Sequence, residues 1–411
     1  MSSRGVMRVM AALVLVLLAA CGGPAQRDQG ITLRWYVGPD RVDADSLAET
    51  CTAASDGEYT VKVVRLPADV DDRHSLVVRR LAAEDDGIDI LSVDSSFTAE
   101  LAAGQYLAPV PEDLKASFAQ DVFPAALGAA SVDGSLVVAP WWYDPYLLWY
   151  RGNTAERAGL DTTKPIVWDD LLAGAERLGG TVQIDDPDGQ GLASWVNALV
   201  AGAGGTLLDG SGRKPDLGLD SAAGRVAAGV VEYYAEVGLG EGPSEDAPAR
   251  FAADPNGFLL APSSVISDPA LRDVATDLSW TSYPAVSSTS VAPLTGVGLG
   301  VPLYARHTKQ SYDAIACLQS DESLARLMTS AGHASAKSST FDSPTVRSGY
   351  PLGPVVEAAV TSGVALPSTP YWQRVRVALD DTWLPVDDVS STSTPARSQK
   401  AVRTLVGGGL R

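Results

Sequence analysis

Several residue types are scarce in this 411-residue chain, and each scarcity removes a class of chemistry. Cysteine occurs three times, at Cys21, Cys51 and Cys317, too few for a fold built on disulfides. Histidine also occurs three times, at His74, His307 and His333, with none of the close spacing of a zinc site. Basic residues number 31 against 50 acidic ones, a formal net charge of −19. Such an acidic balance argues against nucleic acid or an anionic membrane as the ligand. There is no G-x-S-x-G elbow, no H-E-x-x-H pair, no P-loop and no internal repeat. No metal and no cofactor is expected.

Long apolar runs are also few. The one that stands out lies in residues 9–20, behind Arg4 and Arg8. It is short for a bilayer span and reads as the core of a signal peptide. It ends in Leu18-Ala19-Ala20-Cys21, which resembles the lipobox of bacterial lipoproteins. That resemblance implies cleavage after residue 20, diacylglyceryl attachment at Cys21 and an acylated new N-terminus, enough chains to anchor stably. Residues 21–30 then form a tether. The charge becomes −21 once Arg4 and Arg8 leave, and 391 residues remain, more than one compact core normally holds. Outside the cytoplasm, Cys51 and Cys317 are expected to pair, two separate buried thiols being the alternative.

From residue 31 the hydropathy pattern predicts strands over 31–37, 59–66 and 88–93, alternating with helices over 45–54, 72–83 and 97–103. This β-α order predicts a parallel sheet with helices on its faces, an α/β fold whose ligand sits beyond the carboxyl ends of the strands. Asp40 and Asp94 fall at such ends. Asp40 also suits a turn, and Asp94 a helix cap. Further helices are expected over 168–178, 194–203, 221–237, 311–318, 323–331, 353–361, 370–384 and 395–406. Residues 185–191 partly match a calcium loop, but Asn197 stands where its closing glutamate would be.

The richest stretch is Ala-Pro-Trp-Trp-Tyr-Asp-Pro-Tyr-Leu-Leu-Trp-Tyr-Arg, residues 139–151. Pro140 and Pro145 are expected to cut the run, separating a short strand over 136–139 from another over 146–150, which meet at an aromatic crossing around Asp144. Aromatic faces pack against the C–H faces of sugars, and a carboxylate accepts from their hydroxyls. A buried aromatic cluster that only packs a core is the alternative.

The order of these segments resembles the extracytoplasmic solute-binding proteins of carbohydrate ABC importers, the maltose-binding-like cluster. The resemblance rests on residues 88–94 followed by Gly104 and Leu107-Ala108-Pro109, on 140–151, on Trp168-Asp169-Asp170-Leu171, on 295–301 and on Pro370-Tyr371-Trp372. The chain is also similar to the mycobacterial trehalose-binding lipoprotein branch. It departs from that branch at Asp144, at Pro262-Ser263-Ser264 and at Leu366, which leaves the sugar open.

The resemblance implies a two-lobe periplasmic-binding-protein-like fold with discontinuous lobes, 31–142 plus 297–342 and 143–296 plus 343–411, hinged near 142, 296 and 340. It implies a non-enzymatic, monomeric, lipid-anchored protein on the outer face of the cell membrane that hands a di- or oligosaccharide to a membrane permease. Asp40, Asp94 and Asp144 would take hydroxyls. Tyr143, Tyr146, Trp280, Tyr371 and Trp372 would stack on rings. The rival from another class is a glycoside hydrolase using Asp94 and Asp144 as its carboxylate pair.

Overall fold

The computed structural model describes residues 30–210 and 215–408. The expected signal segment, the lipidation residue Cys21 and most of the tether lie outside the described residues. The chain opens as expected: β1 (Ile31–Val37), α1 (Ala44–Ala54), β2 (Tyr59–Arg65), α2 (Val70–Ala82) and β3 (Ile90–Asp94). β1 pairs in parallel with β2 over all seven residues, and with β3 at Trp35 and Tyr36. Both helices begin on aspartate caps. Asp43 accepts from the Ser46 N–H and Asp69 from the Asp72 N–H, satisfying donors that a first turn leaves free.

The 139–151 stretch departs from expectation. It is a single strand, β4 (Ala139–Arg151), and neither proline ends it. Pro145 marks a change of partner, where a missing N–H costs least. On one side of that point β4 pairs antiparallel with β9 (Pro293–Gly300), from Ala139 to Pro145. On the other it pairs antiparallel with β7 (Phe258–Pro262), from Tyr146 to Tyr150. Pro140 lies beside a register shift at Val297 and Gly298 of β9.

The same sheet also takes in β5 (Val182–Asp185), β6 (Pro243–Ser244), β8 (Leu278–Thr281) and β10 (Val364–Ala365). The sheet runs β6-β5-β7-β4-β9-β3-β1-β2, with β8 on β4 and β10 on β9. β4 and β9 are therefore the rails joining two lobes. Glycine makes their approach possible: a Cβ at Gly296 would collide with the Tyr143 ring and lie 2.7 Å from the Trp142 carbonyl oxygen. The lobes have separate cores. Leu33, Trp35, Ile90, Trp141 and Ile315 pack in the first, and Trp168, Leu171, Trp195, Val231 and Trp372 in the second.

α3 (Thr308–Leu318) returns against α1, and Cys51 and Cys317 form a disulfide across that contact, with Cα atoms 5.8 Å apart. α4 (Asp321–Ala331) follows, and Gly332 ends it in the left-handed conformation, φ 76°. α5 (Trp372–Trp383) and the last helix, Thr394–Gly407, pack on each other beside the second lobe. Among the described residues no helix is long and apolar enough to cross a membrane.

Candidate functional site

A cleft with about 910 Å³ of empty space, its open mouth included, lies where the carboxyl ends of β1 and β3 meet the β4 and β9 rails. The first lobe lines it with Asp40, Arg73, His74, Asp94 and apolar side chains that include Val77, Leu91 and Phe97. The rails contribute Trp142, Asp144, Thr295 and Gly296. His333 enters from the segment after α4, and Pro187, Asp188, Pro262 and Ser264 face it from the second lobe.

Three aspartates singled out in the sequence stand on this wall in three different states. Asp40 follows the Gly38-Pro39 turn beyond β1. Both its carboxylate oxygens are buried without a hydrogen-bond partner from another residue. Burial pushes its carboxyl up to about 6, opposed chiefly by His333. Asp94 ends β3 and caps the next turn, its Oδ1 accepting from the Ser96 N–H and O–H at 3.0 and 2.8 Å. Its Oδ2 accepts from Gln190 Nε2 of the second lobe at 2.7 Å.

Asp144 is 1 % exposed and fully engaged. His333 Nδ1 lies 2.8 Å from Oδ2, and the Ala334 N–H donates to Oδ1 at 2.7 Å. The hydrolase pairing of Asp94 with Asp144 therefore fails: such chemistry needs one carboxyl free to give a proton and the other free to attack or activate water.

The expected stacking residues do not line the cleft. Side chains alternate along a strand, so Trp142 and Asp144 face the cleft while Tyr143 turns away into the core. Tyr146 lies past the crossing and donates its O–H to the Asp185 carbonyl at 3.1 Å. Trp280 packs on Trp149, ring centroids 5.8 Å apart. Tyr371 sits under the Arg374 guanidinium, 5.8 Å from its ring centre. Trp372 is fully buried and donates to Gln190 Oε1 at 2.7 Å.

Sequence reasoning missed Trp142, His333 and Gln190. Alternation from Asp144 points to Trp142; the other two carry no local signal. His333 is 2 % exposed and stacks on Trp142 with ring centroids 4.2 Å apart. His333 Nε2 and Trp142 Nε1 are both buried without a partner among the described residues.

Polar contacts join the lobes beside the cleft. Arg41 bonds Asp268 through Nε and Nη2 at 2.9 and 2.6 Å and reaches Asp185 at 3.2 Å. Burial works against the charge on Arg41, and the fields of Asp185 and Asp268 more than offset it. Burial pushes Asp185 up to about 7, with Arg41 opposing. Arg73 donates to the Asp188 carbonyl at 2.8 Å, and Arg376 pairs with Asp71. Burial, with the fields of Asp94 and Asp186, holds the Asp188 carboxyl well above the usual carboxylate range. Within the 185–191 loop the backbone donates to the carboxylates: Asp186 accepts from Gly191 N–H and Asp188 from Gln190 N–H.

Known proteins share this architecture. Maltose-bound MalE3 of T. maritima superposes with a TM-score of 0.79 at 18 % identity, covering 92 % of this chain and 100 % of that one. The GacH receptor of Streptomyces glaucescens GLA.O, solved unliganded and with acarbose, gives 0.77 at 18 % identity over 92 % and 98 %. The cyclic alpha-maltosyl-1,6-maltose binding protein of Arthrobacter globiformis gives 0.72 at 17 % over 92 % and 100 %. At these identities the likeness is one of fold, the two-lobe α/β fold described above.

In sequence, a probable ABC transporter-binding protein of Deinococcus radiodurans is 25 % identical over 168 residues, 38 % of this chain and 39 % of the relative's length. The model of the bacterial extracellular solute-binding protein family matches residues 71–325, and the chain belongs to that family.

Proposed function

We propose that this protein captures a di- or oligosaccharide between its lobes and delivers it to the membrane subunits of an ABC importer. The observation that carries the reading is the set of unpartnered buried atoms on cleft-lining side chains. Asp40 offers two acceptors, Trp142 one donor and His333 one ring nitrogen. Polar atoms left dry and unpaired are costly, and hydroxyls, each both donor and acceptor, suit such a mixed set. The apolar wall and the indole of Trp142 suit the C–H faces of a sugar. The sugar ligands named for the fold's relatives, and the transporter named for the Deinococcus relative, point the same way.

Capture is non-covalent, and the solute-binding family is not one of enzymes. The moving units are 31–142 with 297–342 and 143–296 with 343–411, turning where β4 and β9 cross. Ligand contacts on both walls draw the population toward the closed form. The protein works as a monomer held to the outer face of the membrane by lipid on Cys21.

A thermal-shift screen of the purified protein against mono-, di- and oligosaccharides tests the reading. A saturable rise in Tm for a sugar that is recovered unchanged supports it. A flat response across the panel, or consumption of the sugar, opposes it.

A further inference from the structure

His333 is held from several directions. Its Nδ1 lies 2.8 Å from Asp144 Oδ2, its ring lies on Trp142 at an interplanar angle of 32°, and its backbone follows the left-handed Gly332 that ends α4. Asp144 cannot swing away, because its other oxygen takes the Ala334 N–H at 2.7 Å. With Nδ1 turned to that carboxylate, the ring in its neutral form carries its proton on Nδ1 and leaves Nε2 as an acceptor. That Nε2 is buried and unpartnered, on a side chain of the cleft wall. Asp40, on the same wall, is a second acceptor, and among the described residues no other residue donates to either.

We propose that His333 is a specificity-determining residue of the cleft, oriented by Asp144, and that with Asp40 it selects a ligand presenting two neighbouring hydroxyl donors. The inference rests on the sugar-capture reading and deepens it. Asp144 is a positioning residue: it sets the tautomer and angle of the imidazole and touches no ligand itself. A merely structural His333 would have no use for a buried Nε2 without a partner among the described residues, since such burial costs free energy that an apolar side chain avoids.

Two readouts on the full chain test this. Long-range ¹H–¹⁵N spectra at about pH 8, above the ordinary imidazole range, report the tautomer of each of the three histidines. The resonance lost in His333→Phe is expected to show an Nδ1–H ring. Asp144→Asn offers an N–H to one of its two former donors and is expected to move that ring toward Nε2–H. An Nε2–H ring in the wild type overturns the proposal.

The second readout is the affinity for glucose, maltose, trehalose and the 2-, 3-, 4- and 6-monodeoxyglucoses. Removing a hydroxyl of the selected pair is expected to weaken wild-type binding about ten-fold, and His333→Phe to abolish that discrimination. Discrimination retained in a folded His333→Phe also overturns the proposal. A wild type that binds none of these sugars, alongside an Nδ1–H ring, counts against sugar capture and not against the orientation of His333.

Discussion

The guanidinium of Arg41 grips the carboxylate of Asp268 through two nitrogens, at 2.9 and 2.6 Å, across 227 positions of sequence. Arg41 belongs to the turn after β1 and Asp268 to the segment after β7, so the pair spans the mouth between the lobes. Asp185, at 3.2 Å, shares the same guanidinium. Arg41→Ala therefore removes a clasp between lobes rather than a contact within one. Charged hydrogen bonds of this kind are worth about 1.5–3 kcal/mol, enough to shift an open–closed balance ten-fold or more. Small-angle scattering of the ligand-free variant is expected to give a larger radius of gyration than the wild type.

Asp40 couples stability to pH. Its carboxyl is raised to about 6, so the folded protein binds the proton more tightly than the unfolded chain does. The stabilisation from that proton is complete below about pH 4 and lost as pH rises through about 6. Asp40→Asn, which leaves no charge to bury, is expected to stabilise the ligand-free protein by about 1–3 kcal/mol at pH 8 and to change little at pH 4. Denaturant titrations at the two pH values check this.

The disulfide closes a loop of 266 residues of sequence separation. Cross-links over long loops restrict the unfolded chain most, and loss of such a bridge costs about 2–5 kcal/mol. Cys51→Ser is expected to lower the denaturation midpoint accordingly, and reduction of the wild type to reproduce the effect.

At the rails, Gly296 leaves room for the Tyr143 ring. Gly296→Ala places a methyl group into that ring and near the Trp142 carbonyl. Overpacking of this kind costs about 1–3 kcal/mol, and the variant is expected to melt earlier and to bind its sugar more weakly because β4 and β9 are pushed apart. Differential scanning calorimetry and a binding titration on the same sample measure both.

Much of this architecture was legible in the residues, because hydropathy period is a local signal. The strands expected over 31–37 and 59–66 and the position of Asp94, at a strand end and capping the next turn, survive in the fold. The prolines of β4 misled: Pro145 falls where the strand changes neighbour and Pro140 beside a register shift, so neither ends the strand. The site was less legible. The family resemblance pointed to Tyr143, Tyr146, Trp280, Tyr371 and Trp372, yet alternation along the strand and core packing place all five away from the cleft wall. His333 lies 189 positions from Asp144 and Gln190 lies 96 from Asp94. Pairings at such distances are fixed by how the two lobes close, which no window of sequence contains.

Calorimetric titration of the sugar giving the largest thermal shift, into wild-type protein and into Asp40→Ala, tests the central claim most directly. One sugar per chain in the wild type, weakened about ten-fold or more in the folded variant, is the predicted result. Equal affinity in the two proteins would contradict a cleft that grips its ligand through that buried carboxylate.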